Sequence, residues 1–188
     1  MKRKLIIALL MLSLVGNVAL AAQAPEQKLV PVMVEGMEEE VLFTCYTSEN
    51  GYALWYDAER FTLIEEGSDG RVQIVPVGQD ETSDVRLAVS WSDATGLTLE
   101  DAVQDERDSL SQKGYTVVEM DASSLLDIQD VAGISGIRYE EVVESYLFDT
   151  QQGVYTLELT YPIEAAEGFG QRLFATVQMF EILPLGTK

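Results

Sequence analysis

From Val41 to Trp91, apolar and polar residues alternate over short runs separated by turn residues, the pattern of strands with one face buried. VLFTCYT ends at Ser48-Glu49-Asn50-Gly51, where Asn-Gly signals a hairpin. GYALWYD and RFTLIEE flank the short turn Asp57-Ala58-Glu59, and RVQIVPV and DVRLAVSW follow. In the last of these, Val85, Leu87, Val89 and Trp91 alternate with Asp84, Arg86, Ala88 and Ser90. Five such runs in close succession predict an antiparallel meander. Within GYALWYD, Tyr52, Leu54 and Tyr56 point one way and Ala53, Trp55 and Asp57 the other. Apolar groups on both sides predict an interior strand covered on both faces, so the aromatic run reads as core. Trp55 shares its side with the carboxylate of Asp57, which leaves Trp55 and Asp57 as the candidate ligand-surface residues.

Beyond the meander the period changes from two to that of a helix. Thr98 is placed to cap a helix, with Asp101 three residues on, and Leu99, Ala102, Val103 and Leu110 share a face. Lys113 and Gly114 supply a cation and a glycine at its end. YTVVEM and a long IRYEEVVESYLFD then read as strands, with Gly133-Ile134-Ser135-Gly136 before the second as a flexible turn. The turn Thr150-Gln151-Gln152-Gly153 leads into VYTLELTY, whose Tyr155, Leu157, Leu159 and Tyr161 face one way until Pro162 ends the strand. A second helix is predicted from near Glu164, with Glu164 and Glu167 at its positive end. Phe169, Leu173, Val177 and Phe180 recur at helical spacing, as in a helix lying on a sheet.

The amino terminus has a different character. Lys2, Arg3 and Lys4 precede an apolar run from Leu5 to Val15, and Ala19-Leu20-Ala21 is a small-x-small cleavage site. Residues 1–21 are therefore expected to be a signal peptide, removed on export. Residues 22–40 carry two prolines, the turn-like pair Glu35-Gly36 and the acid run Glu38-Glu39-Glu40, and read as a tether or an added edge segment. Residues 41–184 then form a single α+β domain, and residues 185–188 a tail.

The order of these elements, from GYALWYD-x-x-x-F through the meander, helix and hairpin to YTLELTYPIEAAEGFGQRLFATVQMFEI, resembles PsbP-like proteins. This group includes the extrinsic photosystem protein, bacterial exported relatives and a Ran-binding nuclear-import factor of the same fold. The resemblance covers about residues 41–183 and is strongest from Tyr155 to Ile182; at Tyr56-Asp57 this chain departs from the Tyr-Pro that relatives often carry. It implies an antiparallel sheet sandwiched between helices, an α/β/α arrangement. It brings no catalytic signature, and members of the group do unrelated jobs.

Composition narrows the functions. After loss of residues 1–21, all 32 acids remain against nine Lys and Arg, a net charge of −23. Such a surface repels phosphates and anionic lipid heads, which argues against nucleic acid as a partner and against stable membrane association after cleavage. The single cysteine, Cys45, cannot form an internal disulfide; on the side of Val41 and Phe43 it reads as a small buried hydrophobe.

Candidate chemistry is sparse. With no histidine, Ser-His and Cys-His catalysis and histidine-ligated zinc are excluded. Gly168-Phe169-Gly170 lacks the third glycine of a dinucleotide loop, Leu173 standing in its place, and reads as close helix-on-sheet packing. The acidic turns Glu65-Glu66-Gly67-Ser68-Asp69-Gly70 and Asp80-Glu81-Thr82-Ser83-Asp84 do not have the spacing of a calcium loop. No catalytic, cofactor-binding or metal-binding residue is assigned, and no cofactor is expected. The expected function is that of an exported non-catalytic module binding a protein or small ligand outside the cytoplasmic membrane. The alternative is a carboxylate-dependent hydrolase of an extracellular polymer, with Glu144 and Glu158 as its acid pair on neighbouring strands.

The leader generates the first prediction. Mass spectrometry of protein recovered from the culture medium should find a new amino terminus at Ala22 or within a few residues of it. Full-length chain confined to the membrane would contradict the cleavage.

Overall fold

The strand run that begins at Val41 does not stay in one sheet. The computed structural model describes residues 25–66, 71–93, 96–122, 125, 131–151 and 153–184. The expected leader, the Gly67–Gly70 part of the first acidic turn and the 185–188 tail lie outside the described residues. The first strands are β1 (Gln27–Val34), β2 (Met37–Ser48), β3 (Tyr52–Tyr56), β4 (Phe61–Glu66), β5 (Arg71–Pro76) and β6 (Arg86–Asp93). Helix α1 (Leu99–Gln112) is followed by β7 (Thr116–Met120), β8 (Val131–Arg138), β9 (Glu141–Thr150) and β10 (Gly153–Pro162). Helix α2 (Gln171–Gln178) and the short β11 (Glu181–Ile182) come last. The strands form a four-stranded sheet ordered β1-β2-β3-β11 and a seven-stranded sheet ordered β4-β5-β6-β10-β9-β8-β7. All neighbouring pairs run antiparallel, so the described residues form mostly antiparallel sheet with two α-helices.

The predicted meander is thus cut in two between Tyr56 and Phe61. The cause is local. The carbonyl of Asp57 accepts from Arg60 N at 3.2 Å and Phe61 N at 2.9 Å, and its carboxylate accepts from Glu59 N at 3.2 Å. These bonds close a turn that leaves the small sheet and enters the large one, so β3 and β4 never pair. Tyr52 and Leu54 project into the core between the sheets, while Trp55 faces the other way, toward β1 and β2. The strand is covered on both faces, as its apolar pattern predicts.

Residues 22–40, expected as a tether or an added edge segment, supply an edge strand of the small sheet in their described part. Residues 27–34 form β1, and the expected domain boundary at residue 41 falls inside β2. Val30, Val32 and Val34 are buried with Val41, Phe43, Trp55 and Ala175, enough apolar contact to hold the hairpin down. Its loop is Glu35-Gly36, with φ of 51° and 76°, the left-handed pair that a two-residue hairpin turn requires.

Helix α1 forms as the sequence predicts. Thr98 Oγ1 accepts from Asp101 N at 3.1 Å, and Thr98 N donates to Asp101 Oδ2 at 3.3 Å. At its other end Gly114 has φ of 87°, and the amides of Gly114 and Tyr115 bond to the carbonyls of Ser111 and Leu110. Its Ala102 and Leu110 pack with Ile134, Val143 and Leu147 of the large sheet.

Gly133-Ile134-Ser135-Gly136 is not a turn but the middle of β8. A methyl group on Gly133 would stand 3.1 Å from the Cβ of Ala122 and 3.2 Å from that of Met120; one on Gly136 would stand 3.2 Å from the Cβ of Tyr115. These glycines serve close approach, which composition alone cannot distinguish from flexibility. The second helix also differs from expectation. Ile163–Ala165 is a 3₁₀ turn and Ala166–Gly170 a π-helical turn, so regular α-helix begins only at Gln171. Gly168 and Gly170 lie within the π turn, where a Cβ on Gly168 would meet nothing and one on Gly170 would make ordinary contacts with the Tyr161 ring. Close backbone packing is therefore not what selects them.

An aromatic knot joins the layers. Phe180 stacks on Phe148 at 5.5 Å and lies 5.6 Å from Tyr52 and 5.7 Å from Tyr155. Tyr155 in turn donates to the carbonyl of Asn50 at 2.7 Å. Leu173 and Val177 of α2 enter the same core, both fully buried. Leu173→Ala should therefore cost about 2–5 kcal/mol through lost burial and a residual cavity. Glu167→Gln, on an exposed side chain, should change stability by less than about 1 kcal/mol in the same denaturant melts.

Candidate functional site

The turn that divides the two sheets also floors a cleft. Its rim is the β1–β2 hairpin tip, Val34, Glu35 and Met37, facing Gly168 and Phe169 of the π turn; Glu39, Arg60 and Arg172 lie below, around a volume of about 280 Å³. The rims are tied together, since Glu35 N donates to the carbonyl of Glu167 at 3.2 Å. Phe169, which the helical pattern placed in the core, is partly exposed here and meets Phe61 edge-on at 5.7 Å.

The floor is ionic. Arg172 Nη1 donates to Asp57 Oδ2 at 3.2 Å, and Nη2 donates to Glu39 Oε2 at 2.6 Å. The side chains of Arg172 and Asp57 are 5% and 1% exposed, whereas that of Glu39 is 42% exposed. Arg60, 48% exposed, brings a second guanidinium to 4.0 Å from Asp57 Oδ2. A buried guanidinium is tolerable only where carboxylates and hydrogen bonds replace its water, and Asp57 and Glu39 supply that replacement.

Trp55 and Asp57, expected together on a ligand surface, are both buried and have separate duties. Trp55 is 5% exposed, with Lys28 Nζ 3.7 Å from its ring centroid, and its Nε1 donates to Glu181 Oε1 at 3.0 Å. It is a core residue roofed by a cation. Asp57 is buried behind the cleft lining, where it holds Arg172, and is not on an outer surface. Sequence reasoning missed Arg60, Arg172, Glu39 and Phe169. The available signal was Arg172 itself, a charge immediately before Leu173 on a helix whose remaining faces are largely apolar.

The carboxylate pair proposed for hydrolysis is not assembled. Glu144 lies opposite Leu159 and Glu158 opposite Ser145, which are successive register positions on β9 and β10. Successive positions project to opposite faces, so the sheet stands between the two acids. Glu144 accepts from Tyr146 Oη at 3.1 Å, and burial followed by this carboxylate pushes the Tyr146 and Tyr161 hydroxyls well above the ordinary tyrosine range. Glu158 lies 3.8 Å from Arg86 on the other face. In the second acidic turn, Asp80 accepts from the Thr82 amide at 3.0 Å and its hydroxyl at 2.6 Å, bonds that hold the Asp80 carboxyl below its usual range.

The cyanobacterial PsbP of Synechocystis sp. PCC 6803 is similar to this chain. The match to its solution structure has 10% identity and a TM-score of 0.49, over 89% of this chain and 98% of that one. It agrees with the resemblance read from the order of elements and carries no inference about ligand, partner or activity. No family model and no curated protein matches the chain.

A second cleft of about 310 Å³ lies beside the β8–β9 turn, lined by Asp84, Arg138, Tyr139, Glu140, Glu141 and Pro162. Arg138 donates to Glu141 Oε1 and to the Lys113 carbonyl, both at 3.0 Å, and covers the Tyr115 ring. These bonds fasten the end of α1 to the hairpin. The first cleft is the stronger candidate because one of its lining charges, Arg172, is buried in an ion pair.

Removing one partner of that pair should be costly. Arg172→Met strands the Asp57 charge and should destabilise by about 3–5 kcal/mol, of which a second change, Asp57→Asn, should recover part. Glu39→Gln, on a half-exposed side chain, should cost no more than about 1 kcal/mol. Urea melts of the single and double variants measure the coupling, and strictly additive costs would mean the ion pair contributes nothing.

Proposed function

We propose that the protein is an exported, non-catalytic module whose Arg60–Arg172 cleft binds a small ligand outside the cytoplasmic membrane. In this reading the seven-stranded sheet is held between α1 on one face and α2 with the small sheet on the other. The observation that carries the proposal is the paired state of the charges on the cleft floor. A carboxylate acting as a general acid or base must exchange a proton during reaction, and one acting as a nucleophile must be free to attack. Here Asp57 is fixed by Arg172 and by the Glu59 amide, and Glu39 accepts from the second nitrogen of Arg172. Such groups orient a ligand through their fixed charges.

The lining defines the ligand class. Val34, Met37 and Phe169 offer apolar contact, while Glu35 on the rim and Arg60 below it carry opposite charge. A zwitterion with an apolar body, such as a free hydrophobic amino acid or a short peptide, matches both features. Export is supported by the leader at residues 1–21, and no helix among the described residues is long and apolar enough to cross a membrane.

Protein-observed NMR titration of the mature chain with leucine, phenylalanine and dileucine tests the cleft. Shifts should centre on Glu35, Met37, Arg60 and Phe169, and Arg60→Glu should abolish them. Shifts scattered elsewhere, or unchanged by Arg60→Glu, would overturn the assignment.

A further inference from the structure

The β1–β2 ribbon is apolar on both faces, and only one of them is used. Pairing of β2 with β3 begins at Thr44, so residues 37–43 of β2 have β1 as their sheet neighbour. The inner face buries Val30, Val32, Val41 and Phe43 against Trp55 and Ala175. The outer face is set by the register Gln27–Thr44, Leu29–Leu42, Pro31–Glu40 and Met33–Glu38. On it Leu29 is 60% exposed, Met33 51% and Leu42 40%. A solvent-facing ribbon surface is ordinarily polar, so a leucine pair beside an exposed methionine is apolar area left uncovered.

We propose that this outer face docks a segment of another protein that presents an apolar stripe bordered by lysine or arginine. Charge selects that occupant. The outer face carries the carboxylates of Glu38 and Glu40 and no cation, because the one basic residue of the ribbon, Lys28, points inward over Trp55. The chain as a whole carries a net charge of −20. A basic, apolar segment gains from both features of the surface. A second copy of this chain does not, since it would bring the same acidic border and the same strongly negative net charge to the contact. Docking is through the face rather than by strand addition, because Pro31 removes a backbone donor from the middle of β1. The surface is separate from the floor of the Arg60–Arg172 cleft, so either proposal can fail alone.

Fluorescence anisotropy of the mature chain with three labelled peptides of equal length provides the test: alternating Leu-Lys, alternating Ser-Lys and alternating Leu-Glu. The Leu-Lys peptide should bind most tightly, with an affinity that falls as salt is raised. Replacing Leu29, Met33 and Leu42 together by serine should weaken it about tenfold or more, as expected for loss of the central apolar contacts. Glu38→Gln with Glu40→Gln should flatten the salt dependence. Leu29→Arg alone should also repel the probe, and serves if the triple variant is poorly folded by circular dichroism. Equal binding of the Ser-Lys peptide, or indifference to Leu29→Arg, would reduce the effect to general acidity and overturn the proposal. A dimer in sedimentation that Leu29→Arg dissolves would make a second copy the occupant and overturn it equally.

Discussion

The contact between Arg172 and Asp57 fixes how three parts of the chain meet. Asp57 closes the turn at which the chain changes sheets, Arg172 opens the second helix, and Glu39 brings the amino-terminal hairpin to the same guanidinium. Because the pair is almost fully buried, its geometry is stringent; a misplaced carboxylate would leave an uncompensated charge in the interior. Three loosely related elements are thereby held in one arrangement. The cleft beside them exists because those elements converge there.

Around this contact the two sheets divide the apolar residues by alternation. On β10, Tyr155, Leu157, Leu159 and Tyr161 face the core shared with the small sheet, while Val154 faces α1. On β9, Tyr146 and Phe148 follow the first direction and Val143 and Leu147 the second. A shift of one residue would move the slipped strand's sets to the wrong faces, so the register is strongly specified. The same rule separates Glu144 from Glu158, and with it a hydrolytic pair that proximity in sequence had made attractive.

Much of this fold was legible because local patterns carry local structure. The cap at Thr98, the glycine at position 114, the hairpin at Asn50-Gly51 and the common face of Tyr155 to Tyr161 are all short-range signals, and each element formed where it was read. What was hidden depended on neighbours distant in sequence. Gly133 and Gly136 are strand residues because Ala122, Met120 and Tyr115 crowd them, and no local pattern reports that crowding. The passage from one sheet to the other at Asp57 looks, residue by residue, like any hairpin turn. Of the cleft, Asp57 was visible as a charge among aromatics. Arg172 was passed over because helical periodicity ranks apolar positions and is silent on a cation buried among them.

Strand β11 pairs with β3, so Glu181 and Ile182 complete a sheet whose first strand begins at Gln27. The order of synthesis therefore runs against the order of assembly. A growing chain can form the β1–β2 hairpin early, but Ala175, which helps cover its inner face, and Phe180, which fills the core between the sheets, are made much later. Contacts of such long sequence separation are slow to form, because a large loop must close before they are realised. The small sheet is thus kept from maturing alone until residues 175–182 are free to turn back onto it.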